Sequence, residues 1–87
     1  VVKVKKRKQL KVLKYTAIFE PAEEGGYVVT VPSLPGCVTE GDTFEEAVEM
    51  VKDAIRAYIA VLKEDNEPIP IESEEHIEVR VAVPVYA

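Results

Sequence analysis

At 87 residues, with 47 % hydrophobic and 31 % charged residues and a mean hydropathy of −0.02, the chain has the size and balance of one small globular domain. A domain of this size buries about 60–65 % of its unfolded surface, which excludes a two-domain enzyme and leaves little core to spare. The net charge of −5 is divided along the chain: residues 1–14 carry seven bases and no acid, while the other four bases and all 16 acids leave the remainder at −12.

The apolar set is β-branched, with 15 Val and 6 Ile against 4 Leu, which favours strands over a helical bundle. Residues 1–11 form a basic arm in which Val and Lys alternate, the pattern of an edge strand protected by charge. Lys5, Lys6, Arg7 and Lys8 are its candidate phosphate contacts, but no aromatic residue interleaves them to stack on bases. Residues 12–20 place Leu13, Tyr15, Ala17 and Phe19 at period two and predict a half-buried strand. Pro21 and the Gly25-Gly26 pair bracket a turn, and residues 27–31 complete a hairpin. Two prolines, Pro32 and Pro35, then interrupt the chain before a short third strand at residues 37–40.

Thr43 and Glu46 have capping-box spacing, with Asp42 as a competing cap, and Glu45 and Glu46 suit the positive end of a helix. Phe44, Val48, Val51, Ile55, Tyr58 and Leu62 recur at three- and four-residue steps, predicting one amphipathic helix over residues 43–63. Asp65 to Pro68 stops it, Pro68-Ile69-Pro70 forms a stiff connection, and residues 76–84 alternate Ile77, Val79, Val81 and Val83 with Glu78, Arg80 and Ala82 as a last strand. The expectation is an α+β domain over residues 1–87: a two-layer βββαβ sandwich with one long helix on a mainly antiparallel sheet. Its core is built by Tyr27, Val29, Val31, Phe44, Val48, Val51 and Ile55. The helix-free sheet face, or an edge strand, calls for a partner, so a homo-oligomer is expected.

Little in the chain points to catalysis. Gly25-Gly26 joins two strands and makes no phosphate cradle, so no cofactor is expected. A two-metal nuclease would need Glu20, Glu40 and Asp42 to converge on a cation, and no spacing demands it. Cys37 is the only cysteine, which excludes an internal disulfide and suits a reducing cytoplasm; His76, the only histidine, is far from it in sequence. No apolar run approaches the ~20 residues that cross a bilayer.

Residues 25–47, GGYVVTVPSLPGCVTEGDTFEEA, resemble the HicB-like antitoxin family in the glycine-led aromatic strand, the Pro-Leu-Pro-Gly-Cys turn, the Thr39-Glu40-Gly41-Asp42 link and the Glu45-Glu46-Ala47 helix start. With the Tyr15 strand and Pro68-Ile69-Pro70, the similarity covers about residues 13–71. The resemblance implies a degenerate ribonuclease-H-like fold without the nuclease carboxylates, hence no enzyme. It also implies a partner, a small basic HicA-like toxin that cleaves mRNA and is neutralised by occlusion. An acidic body suits such a partner. Many family members carry a C-terminal DNA-binding domain; a chain ending at Ala87 leaves no room for one, so a toxin-binding domain alone, an orphan member or a protein that has lost its toxin is expected. Ser33, Leu34, Pro35 and Cys37 of the turn and Glu45 and Glu49 of the helix are the candidate partner contacts, with nucleic-acid binding through the basic arm as the alternative.

Overall fold

A computed structural model describes residues 12–73 and 77–86. Three strands, β1 (Ile18–Pro21), β2 (Tyr27–Thr30) and β3 (Val38–Gly41), precede one long helix, α1 (Phe44–Glu64). The strands form an antiparallel sheet in the order β1-β2-β3. Its register sets Phe19, Val29 and Thr39 in one row and Glu20, Val28 and Glu40 in the next. Successive rows of a pleated sheet point to opposite faces. Val29, fully buried, therefore packs with Ala47 and Val51 of α1, while Val28, Ile18 and Val38 remain exposed on the helix-free face. This is the α+β class that the sequence predicts.

The helix begins where the spacing of Thr43 and Glu46 places it. Thr43 is the N-cap, with extended backbone, and its Oγ1 accepts the Glu46 N–H at 3.0 Å. Half of the capping box is therefore made, and Thr43 rather than Asp42 holds the cap. The other end closes as a Schellman motif: Asn66 takes a left-handed φ of 54°, its N–H donates to the Lys63 carbonyl, and Glu67 N–H donates to that of Leu62. Pro68 follows and cannot continue the helix. Ala47 and Val51, one turn apart, are the helix residues buried against the sheet, with Ala54, Ile55 and Tyr58 packed beside them.

How closely α1 approaches the sheet is set by Gly41. A Cβ on Gly41 would lie 2.5 Å from Ala47 N and 2.6 Å from Ala47 Cα. Both are backbone atoms of the helix, so no side-chain rotation could relieve the contact.

The segment between β2 and β3 is more structured than a proline turn suggests. Val31 N–H donates to the Cys37 carbonyl at 3.0 Å, closing a loop inside which Leu34 N–H donates to Val31 and Cys37 N–H to Leu34. This folding back turns Leu34 and Cys37 inward, and both join the core with Val29, Val31, Ala47 and Val51. Phe44, expected in the core, stands instead at the first position of the helix and is 48 % exposed.

Two further expectations change. Of the strand predicted over residues 12–20, β1 is the part that takes a ladder partner among the described residues; Tyr15 and Ala17 pack against the core. The last strand, predicted over residues 76–84, takes no ladder partner among the described residues: His76 lies outside them, and residues 77–84 are exposed. The physical reason is that alternation records a preference for a two-faced environment without supplying a strand edge to satisfy it. The chain just before that segment is tethered beside β1. Tyr15 OH donates to the Pro70 carbonyl at 2.5 Å, and Thr16 donates from both its N–H and its Oγ1 to the Glu72 carboxylate, each at 2.6 Å.

Gly41→Ala is expected to cost about 3 kcal/mol, the upper end of the usual penalty for overpacking. The loss should appear as a lower midpoint in urea unfolding, and Ala47→Gly should not rescue it because the clash is with backbone. The Tyr15 phenol is held above its ordinary value of 10.0, first by burial and then by the Glu72 carboxylate. A raised pKa in the folded state means that its contribution is fully present below the unfolded value and is lost as pH climbs through the folded one. Stability measured by denaturation from pH 9 upward should therefore decline less steeply in Tyr15→Phe than in the parent chain, with about 1 kcal/mol already lost at neutral pH from the missing hydrogen bond.

Candidate partner-binding surface

The two chain reversals at one end of the sheet touch. A Cβ on Gly26 would meet the Gly41 carbonyl oxygen at 2.5 Å and Asp42 Cα at 3.1 Å, so the hairpin turn lies directly on the link between β3 and α1. The turn carries Glu23 and Glu24, the link carries Asp42, and the first turn of the helix carries Glu45 and Glu46; all five are exposed. Beside them stand three aromatic rings. Phe19 and Phe44 are 4.8 Å apart between centroids, and Tyr27 lies edge-on to Phe44 at 5.8 Å and to Phe19 at 6.5 Å. Such offset and edge-to-face arrangements are favourable, and here the cluster is open to solvent through Phe44.

Further along the helix the negative charge is offset. Glu49 pairs with Lys52 at 3.5 Å and Asp53 with Arg56 at 2.7 Å, all four on the exposed side. One acidic group therefore stands at the end formed by the hairpin turn and the helix N-terminus, where the helix dipole also stabilises it; a second, Glu64, Asp65 and Glu67, lies exposed at the far end of the helix.

The candidate contacts named from sequence do not form one patch. Glu45 belongs to this acidic end and Glu49 to the next turn. Ser33 and Pro35 lie at the other end of the sheet, where Tyr58 OH donates to the Pro35 carbonyl at 2.8 Å. Tyr58 follows Glu45 by 13 residues, or about 20 Å along the helix axis. Leu34 and Cys37 are buried and present no side chain to a partner; burial pushes the Cys37 thiol up, which keeps it protonated and unreactive. Lys5, Lys6, Arg7 and Lys8 lie outside the described residues. Sequence reasoning missed the approach of the hairpin turn to Asp42. Its signal was Gly41, a glycine at the end of a strand where no turn required one.

A shallow depression of about 380 Å³ lies near the Ser33 end, lined in part by Thr16, Glu72 and Glu78, with Glu72 already engaged by Thr16. Glu20 and Glu40 flank Val28 on the helix-free face, two strands or about 9.6 Å apart, and do not converge. Among the described residues no group of three or more His, Cys, Asp or Glu is placed to hold a metal ion, and no helix is long and apolar enough to cross a membrane.

Three antiparallel strands under one helix, with a loop buried through Leu34 and Cys37, define a small α+β domain. Residues 15–87 match the family model described as HicB_like antitoxin of bacterial toxin-antitoxin system, and the chain belongs to that family. Its class is therefore that of non-enzymatic antitoxins. Among similar proteins, a UPF0150 protein of Thermoplasma acidophilum is 54 % identical over 67 residues, which cover 77 % of this chain and 97 % of the relative. Antitoxin HicB 1 of Photorhabdus laumondii is 47 % identical over 62 residues, 71 % of this chain and 40 % of the relative. Antitoxin HicB of Escherichia coli K12 is 40 % identical over 76 residues, 82 % of this chain and 55 % of the relative. The chain thus spans nearly all of the archaeal relative and about half or less of the two antitoxins.

Proposed function

We propose that this chain neutralises a small, basic, mRNA-cleaving toxin of the HicA-like kind in the cytoplasm, and that it does so through its acidic, aromatic end. The observation that carries this reading is the gathering of Glu23, Glu24, Asp42, Glu45 and Glu46 around the part-exposed Phe44. A protein that grips RNA must present cations to phosphates. The same cations are attracted to a compact group of carboxylates, which raises the association rate and competes with RNA for one surface. Aromatic rings supply what carboxylates at a rim do not: an anchor with large apolar area, and a π-face for a lysine or arginine of the toxin. Occlusion follows without any chemistry on the antitoxin.

The test is a titration of the full chain against a basic ribonuclease toxin encoded beside it. Phe44→Ala should weaken binding by at least about tenfold, as expected for an aromatic anchor. Glu23→Lys with Glu24→Lys, changes in a turn that leave the helix untouched, should slow association and flatten its dependence on salt. Ser33→Arg, at the far end, should leave affinity unchanged. If Ser33→Arg abolishes binding while the three other changes do not, the contact lies at the proline loop and the acidic end is not the site.

A further inference from the structure

Helix α1 has two flanks beside its buried face, and they differ. Val48, Ile55, Ile59 and Leu62 on one flank are half-buried. On the other, Met50 is 41 % and Val61 55 % exposed, and Ala57 between them is exposed as well. At about 100° per residue, Met50, Ala54, Ala57 and Val61 stay within about 60° of one another and form one apolar stripe. Their alternating four- and three-residue steps are those of a helix-packing seam. Alanines at its centre let a second helix axis come close, and the methionine at one end adapts to varied surfaces.

Charge sets what can lie there. The middle of the helix is neutralised by the Glu49–Lys52 and Asp53–Arg56 pairs. Both ends are acidic, with Glu45 and Glu46 at the start and Glu64, Asp65 and Glu67 against one base, Lys63, at the finish. Glu46 and Glu64 border the stripe on the same side, about 27 Å apart along the axis, and the stripe itself covers about 16 Å of that length.

We propose that this flank of α1 docks a cationic amphipathic helix of a partner, its apolar face along Met50, Ala54, Ala57 and Val61 and its lysines or arginines meeting Glu46 and Glu64. Helix-in-groove recognition uses anchors at this spacing. A second copy of this chain is the poorer occupant. Packed antiparallel with Met50 opposite Val61, each Glu46 would face the other copy's Asp65; packed parallel, Glu46 would face Glu46 and Glu64 would face Glu64. Like charges set against each other across an interface are costly, so the acidic ends oppose self-pairing in either direction. The stripe shares Glu46 with the proposed toxin-binding end but not Phe44, so either reading can fail without the other.

The probe is a synthetic helix of about 22 residues with leucines at the same steps, lysines near each end and a single tryptophan. The full chain has no tryptophan, so the peptide's fluorescence reports binding directly. The peptide should bind the full chain, and a shuffled peptide of the same composition and charge should bind at least about tenfold more weakly. Ala57→Lys, an exposed change to another good helix former, should weaken binding at least about tenfold while leaving the urea midpoint in place. Glu64→Lys should flatten the dependence of binding on salt. Equal affinity for the shuffled peptide, no response to Ala57→Lys, or loss of binding with Phe44→Ala but not with Ala57→Lys would each overturn the proposal. So would a two-chain mass in sedimentation that Ala57→Lys returns to one chain, because the stripe would then belong to a second copy.

Discussion

Everything that positions the acidic, aromatic end of this domain depends on the approach of α1 to the sheet at Gly41. With no side chain there, the backbone of Ala47 can descend onto the end of β3, and Val51, one turn later, reaches the buried Val29. The same absence of a side chain at Gly26 lets the hairpin turn lie on Asp42. Two close backbone approaches therefore bring together a turn, a strand end and a helix N-terminus that are separated by some twenty residues of sequence. The aromatic rings of Phe19, Tyr27 and Phe44 fill the wedge that remains. A larger residue at either glycine would lift the helix and open that wedge.

Much of this is legible in the sequence, and the reasons differ by element. Helix α1 announces itself through local physics: a cap at Thr43, apolar residues at three- and four-residue steps, and a proline beyond its end. The hairpin is legible because its turn needs glycine. The loop from Val31 to Cys37 is misread because prolines signal only where a ladder stops, whereas the inward turn of Leu34 and Cys37 comes from three backbone hydrogen bonds that no composition rule reports. Phe44 is misjudged for a related reason. Helical periodicity gives the side of the helix on which a residue lies, but at the first position that side extends past the sheet it would cover. The candidate contacts chosen from sequence mixed the two ends of the body because a linear motif does not show that the proline loop and the helix start lie at opposite ends of the sheet.

Net charge is a similarly blunt guide until the side chains are placed. The −12 outside the first fourteen residues suggests an acidic surface everywhere, yet the exposed helix face spends much of its acid in pairs with Lys52 and Arg56. Exposed pairs of this kind contribute little to stability, but they remove field from that side of the molecule. The acids of the hairpin turn and helix start have no such base at the next helical turn, and Coulomb attraction over a Debye length of about 8 Å favours such a compact group over a dispersed one. In the proposed reading a cationic partner would be oriented by this group before contact, with Phe44 at the centre of the surface it meets.

The alternation of residues 77–85 is the opposite case, a strong sequence signal that meets no ladder partner among the described residues. Among the described residues six form the buried core, and their side chains are mostly valine or smaller. Burying a valine-sized side chain fully is worth about 1.5–3 kcal/mol, against an ordering cost of about 1–2 kcal/mol for every residue fixed. A body with so few buried groups gains more from new apolar contact than a large domain would, and any contact made only by the folded form shifts the unfolding equilibrium by mass action.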